Sequence, residues 1–223
     1  MCAFERSEKG MDFNMEILYG TTNKAKVRSM EKIIEEHNFD ITIKTLPEIG
    51  FNEEIVEDGT TFEENSEIKA KAIQKFCKEN NINVHLIMTD DAGLCIEKLN
   101  GEPGVYTARY ARENPTQIQN IEKVLDKLKE YQDPKDRTAT FVCVLTAIVL
   151  DTGEEIVARG ECKGSIAKKP GKMGGLTYGP LFIPEGFTLP MNDLEEEKYE
   201  KVHNHRDIAM RKIVEELSKR NLI

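Results

Sequence analysis

The stretch from Thr138 to Leu150 is the feature that most limits what this chain can become. Phe141, Cys143, Leu145, Ala147 and Val149 alternate there with Thr140, Val142, Val144, Thr146 and Ile148, and both sets are mostly apolar. A strand that is apolar on both faces must be covered on both faces, which calls for a sheet with layers packed above and below it. Asp151-Thr152-Gly153-Glu154 then turns the chain back into Glu155 to Lys163, so the long strand opens a β-hairpin.

Upstream, strand and helix signals alternate. Residues 16–20 read as a short strand, the chain after Lys26 as a helical pattern with Val27, Met30, Ile33 and Ile34 on one face, and Ile41 to Ile49 as a second strand that leaves Glu48 just past Pro47 near its end. Thr61 and Glu64 form a capping box that opens a helix with Phe62, Ile68, Ala72, Ile73 and Phe76 on its inner face. The run Val84, Leu86, Ile87, Met88 is a strand expected to end at Asp90 and Asp91, and a third helix runs from Thr116 to about Tyr131 with Ile118, Ile121, Val124, Leu125 and Leu128 inward. Leu181-Phe182-Ile183 gives a last short strand, an acidic helix is expected around residues 194–201, and a final helix buries Ala209, Ile213 and Leu217. The expected class is α/β, a mixed β-sheet with flanking helices. Residues 1–14 read as an N-terminal extension and residues 15–223 as a single domain.

Charge narrows the function classes. With 31 basic and 40 acidic residues the net charge is -9, which argues against non-specific duplex nucleic acid or an anionic membrane as partner. Any anionic ligand has to be met by local positive charge or by a metal ion. Five cysteines without a C-x-x-C pair read as reduced thiols of a cytosolic protein, and no window reaches the ~20 apolar residues of a membrane span.

Four places carry candidate chemistry. Asp90 and Asp91 are either a polar turn closed by Gly93 or a metal site, because adjacent carboxylates beside a buried strand are costly to desolvate without a cation. Thr21-Thr22-Asn23-Lys24-Ala25-Lys26 joins a strand to a helix N-terminus, the arrangement that binds anions, although a capped surface helix with solvated lysines fits the same pattern. The segment from Lys168 to Pro180 is a basic glycine-rich loop, able to wrap a phosphorylated aromatic ligand or to stay solvated. His205-Arg206 at a helix N-terminus suits a base carbonyl or a phosphate better than zinc, since no cysteine or third histidine accompanies His203 and His205. Lys69, on its own, reads as a solvent lysine.

Taken in order, these pieces resemble one family, the inosine triphosphate pyrophosphatases. The resembling stretches are residues 21–26, Leu46-Pro47-Glu48, residues 61–65 with Lys69-Ala70, residues 90–94, Gly101 to Tyr110, residues 136–141 and His205-Arg206, together spanning residues 16–217. The resemblance implies a long mixed sheet with two lobes around a nucleotide cleft, usually in a homodimer. It also implies hydrolysis of non-standard purine nucleoside triphosphates such as ITP, dITP and XTP to a monophosphate and pyrophosphate, with Mg²⁺ or Mn²⁺. By the same resemblance Thr21, Asn23 and Lys26 fall on the triphosphate loop, Lys69 and Ala92 on substrate contacts, and Glu48, Asp90 and Asp91 around the metal. Asp91 also matches the proton acceptor, and His205 and Arg206 match a pair facing the base.

The chain departs from the family pattern around the base. Ala92 stands where a serine is usual, and Gly175-Leu176-Thr177-Tyr178-Gly179-Pro180 stands for Gly-Phe-Gly-Tyr-Asp-Pro, removing an aromatic ring and an acid. Leu176 is then expected to pack on a purine and Tyr178 to stack, while Lys198 is preferred over Lys201 as the ligand lysine. A second class of function stays open on these departures: a nucleotide-binding or sensing protein with altered base specificity and little turnover.

Overall fold

The computed structural model describes residues 15–195, 198, 202 and 204–222, so the extension at residues 1–14, most of the expected acidic helix, Lys201 and His203 lie outside the described residues. Six strands form one mixed sheet in the order β2-β1-β3-β4-β5-β6. These are β1 (Met15–Tyr19), β2 (Ile41–Thr45), β3 (Leu86–Ile96), β4 (Thr138–Val149), β5 (Glu155–Ile166) and β6 (Phe182–Pro184). The pairs β1-β2 and β1-β3 are parallel, and β3, β4, β5 and β6 run antiparallel to one another in turn. The helices are α1 (Lys24–Glu36), α2 (Phe62–Glu79), α3 (Gln117–Lys127) and α4 (His205–Lys219). No helix among the described residues is long and apolar enough to cross a membrane.

As its double apolar pattern requires, β4 is central and covered on both sides. On one face Met30 and Ile33 of α1 and Ala209, Met210, Ile213 and Leu217 of α4 pack on Leu86, Met88, Cys143 and Leu145. On the other, Ile73 and Cys77 of α2 meet Leu18 and Ile87, and Phe62 covers Val142 and Val144. Farther along β3 and β4, Leu94 and Phe141 join Ile121 and Val124 of α3 with Tyr178 and Phe182. Fully burying a Leu, Ile, Met or Phe contributes about 1.5–3 kcal/mol, so these faces hold the helices in place. Arg137, buried at the start of β4, donates to the carbonyls of Leu128, Tyr131, Ile166 and Ala167 and ties the end of α3 to β5.

One close approach fixes α4. A Cβ on Gly160 of β5 would lie 2.0 Å from the His205 carbonyl oxygen and 2.6 Å from the Ala209 nitrogen, so the first turn of the helix rests on bare backbone. Only glycine permits that depth.

Four expectations need correction. The strand from Ile41 stops at Thr45, and Leu46–Ile49 is a 3-10 turn with Pro47 in its first turn. Asp90 and Asp91 are not a turn at a strand end: β3 runs from Leu86 to Ile96 with both acids and Gly93 in its interior, paired along its whole length with β4. The apolar run stops at Met88 because the parallel partner β1 stops there, at Tyr19↔Met88, not because the strand stops. Ile118 is 55% exposed rather than inward. The core stripe of α3 follows Ile121, Val124 and Leu128, and at 3.6 residues per turn Gln117, not Ile118, continues it. The helix also ends at Lys127, short of Tyr131.

Candidate active site

Beyond Tyr19 the sheet opens. The Gly20 amide donates to the Met88 carbonyl at 2.7 Å, the chain turns away through Thr21, and β3 continues alone on that side. A cleft of about 690 Å³, within the range of nucleotide-sized pockets, lies at this opening. Thr21, Asn23, Lys26, Lys69, Asp90, Asp91, Ala92, Leu176, Tyr178, His205 and Arg206 all line it, so eleven of the thirteen residues singled out from the sequence come together.

The N-terminus of α1 faces the cleft. Asn23 caps it, its side-chain oxygen accepting from the Ala25 amide at 2.9 Å, and the Thr21 hydroxyl accepts from the Asn23 amide at 3.2 Å. The helix dipole and the Lys26 ammonium therefore add at one place.

Successive strand residues point to opposite faces, and this separates the two acids. Asp90 faces α1 and α4. Lys26 Nζ lies 3.1 Å from its carboxylate and Arg206 Nη2 lies 2.9 Å away. Burial alone would raise the Asp90 carboxyl, but the two cations overturn that and hold it well below the usual carboxylate range. Asp91 faces α2, where Asn65 Nδ2 donates to Oδ2 at 3.2 Å and the Ala92 amide donates to Oδ1 at 3.0 Å. Its carboxyl is raised by burial, against the opposing pull of Lys69 and Lys26. One acid is locked into two short ion pairs; the other is held by an amide side chain and its neighbour's backbone and is raised by burial.

Lys69 is buried rather than solvated. Its ammonium lies 2.7 Å from Glu57 Oε2 and 3.8 Å from Asp91 Oδ1. Nothing in the local sequence around Glu57 marks this partnership, whereas Asn65 stands four residues before Lys69 on α2 and shares its face.

At the α4 end, His205 is fully buried and its ring stacks on Phe141 with centroids 5.1 Å apart. Burial, with Arg206 beside it, lowers the imidazole to about 3, so it is neutral. His205 Nδ1 and Arg206 Nε and Nη1 are buried without a partner among the described residues. The Tyr19 and Thr146 hydroxyls are also buried without a partner among the described residues, but off the cleft; on the cleft-lining His205 and Arg206 three such atoms are available to a polar ligand.

Other sequence-derived candidates sit differently. Tyr178 reaches the cleft wall but is fully buried, its hydroxyl donating to the Thr107 carbonyl at 3.1 Å, so it braces the wall instead of offering an open ring. Thr107 itself accepts from the Leu94 amide at 2.9 Å, a link the sequence reading did not single out. Glu48 is exposed and does not line the cleft; its Oε2 accepts from the Thr45 amide at 2.7 Å and closes the turn Leu46–Ile49. Lys198 is exposed, pairs with Glu195 at 3.2 Å and does not line the cleft.

Among the described residues no three of His, Cys, Asp and Glu converge as a ready-made cation cage. Asp90 is already neutralised by lysine and arginine. Asp91, a buried carboxylate with a raised pKa at the cleft, is the group a cation would suit. This fits a divalent cation shared between one or two carboxylates and a bound anion better than it fits an ion enclosed by protein alone.

A sequence profile of the Ham1 family matches residues 17–216. The chain belongs to the Ham1 family. Among relatives of this Ham1-family chain, a protein of Bacillus subtilis named dITP/XTP pyrophosphatase is 39% identical over 198 residues, 89% of this chain and 94% of that protein. One of the same name from Clostridium perfringens is 35% identical over 200 residues, 90% and 96% of the two chains. The solved Ham1 protein of Staphylococcus aureus superposes with a TM-score of 0.76 at 33% identity, covering 92% of this chain and 99% of that one. A HAM1 protein of Coxiella burnetii gives 0.75 at 29% identity, with the same coverage. The resemblance drawn from the motifs and the mixed-sheet α/β fold are thereby borne out.

Proposed function

We propose that this chain hydrolyses the non-standard purine nucleoside triphosphates ITP, dITP and XTP to the nucleoside monophosphate and pyrophosphate. The observation that carries the reading is Asp91, a buried, raised carboxyl held by Asn65 and flanked by Lys69, on the wall of a cleft that Lys26 and the N-terminus of α1 also line. The named activity of the relatives supports it and does not favour a binding protein with little turnover.

In this reading the triphosphate lies between the α1 N-terminus, Lys26 and Lys69, whose charges offset its own. Asp91 accepts a proton from water as the water oxygen bonds to the α-phosphorus and the α–β bridging P–O bond breaks, with pyrophosphate leaving. A raised carboxyl is the stronger base. Bound Mg²⁺, or Mn²⁺ in its place, would supply further charge neutralisation, and Asp91 would hold it; of the other ligands the resemblance offers, Asp90 is paired with Lys26 and Arg206 and Glu48 lies off the cleft. His205 and Arg206, with their orphaned nitrogens, meet the base. A cytosolic homodimer belongs to the same proposal.

The test is a panel of ITP, dITP, XTP and the four common triphosphates, with pyrophosphate assayed separately from orthophosphate. Pyrophosphate release with preference for ITP and XTP is expected. Orthophosphate alone would place the cleavage elsewhere and overturn the assignment.

A further inference from the structure

The cleft wall formed by residues 174–178 has no secondary structure of its own, and Gly174 and Gly175 hold φ of 106° and 62°. Its shape is imposed from outside by two side-chain amides. Gln117, on the inner stripe of α3, donates through Nε2 to the carbonyls of Gly174 at 3.0 Å, Leu176 at 3.0 Å and Thr177 at 3.2 Å, and its Oε1 accepts from the Gly174 amide at 3.0 Å. Asn192 donates through Nδ2 to the carbonyls of Lys172 at 2.9 Å and Gly174 at 2.8 Å. Asn192 also fills the space beside Gly179: a Cβ there would lie 2.2 Å from Asn192 Oδ1, so a side chain at 179 and Asn192 in this position exclude each other.

We propose that Gln117 and Asn192 are positioning residues that determine base selectivity, by fixing the backbone that presents Leu176 to the cleft. The loop runs on into Phe182, whose ring packs on Phe141 at 4.5 Å, and Phe141 stacks on His205. Loop and imidazole therefore belong to one continuous wall. Leu176 has no polar group with which to read a base, so its discrimination depends on where the wall stands, and that is set by amides outside the cleft. A gap opened by a shifted loop admits a base with an extra exocyclic group, and shape differences of this kind are worth about 10- to 200-fold in selectivity.

This inference rests on the nucleotide reading of the cleft, and its test separates the two. IMP and GMP, which have no anhydride to cleave, are titrated calorimetrically into the wild-type protein and into Gln117→Leu, Gln117→Glu and Asn192→Asp, each of which keeps the side-chain volume and removes the donor. In parallel the ratio of kcat/KM for ITP over GTP is measured. Each variant is expected to lower the IMP:GMP affinity ratio and the ITP:GTP ratio about tenfold. Leu176→Ala is expected to lower the ratio in the wild type but to add little in the Gln117→Leu background, because both changes act through one side chain. An unchanged ratio, equal weakening of both nucleotides, or fully additive effects would overturn the proposal. Absence of turnover with intact IMP:GMP selectivity would overturn the hydrolase reading alone.

Discussion

Arg206 Nη2 stands 2.9 Å from Asp90 Oδ2, with side chains only 2% and 0% exposed, in the floor of the cleft. Lys26 approaches the same carboxylate from α1. Asp90 is thus the shared anion that lets a cation from α1 and a cation from α4 meet on β3 without mutual repulsion. Asp90→Asn leaves Arg206 buried with no counter-charge, and breaking such a pair costs about 3–5 kcal/mol. Denaturant unfolding measures this directly, and a loss below about 1 kcal/mol would contradict the role.

The neighbouring acid should behave in the opposite way. Burial raises the Asp91 carboxyl, so its ionised form disfavours the folded state at neutral pH, and stability from this group increases as pH falls through its raised pKa. Asp91→Asn is therefore expected to leave stability unchanged or slightly higher while pyrophosphate release drops by about 10²–10⁴-fold. Parallel unfolding curves and rates on the two variants decide it: equal behaviour of Asp90→Asn and Asp91→Asn would show that the strand does not separate them.

Lys69 lies between Glu57 and Asp91. Because its charge lowers the Asp91 carboxyl, Lys69→Met should move the acid limb of the pH–rate profile to higher pH and lower kcat/KM at neutral pH by roughly tenfold or more. A limb that stays in place would mean that Lys69 is not felt at Asp91.

His205 gives a stability signature with a defined window. The imidazole is lowered from 6.5 to about 3 by burial and by Arg206, so the unfolded chain binds a proton that the folded protein refuses. Stability from this group is complete above about pH 6.5 and is lost as pH falls toward 3, at about 1.4 kcal/mol per pH unit. His205→Phe should flatten that part of the pH–stability curve, with equilibrium unfolding at several pH values as the check.

Much of this was legible in the residues. The doubly apolar pattern of residues 138–150 specified a buried central strand, and the capping box at Thr61 marked a helix start because those side chains bond locally. What the sequence hid was non-local. The strand carrying Asp90 and Asp91 looked finished at those acids because their partners, Lys26, Arg206, Asn65 and Lys69, come from α1, α4 and α2, not because its pairing ends. Glu57 and Gln117 gave no signal, since their partners lie 12 and 57–60 residues away in the chain. Tyr178 read as an exposed stacker, while its burial depends on packing among Leu94, Phe141 and Phe182 that periodicity does not report.

The strands β3 and β4 join different cores toward their two ends. Leu86, Met88 and Leu145 pack with α1 and α4, and Leu94 and Phe141 pack with α3 and residues 176–182. The groups assigned to the triphosphate are rooted in α1 and α2, and the loop wall at residues 174–178 in the other cluster, with His205 and Arg206 of α4 between them on a shared backbone. The second cluster can therefore be reshaped while the carboxylates stay at fixed spacing. Diversification of what is accepted is uncoupled from preservation of how it is cut.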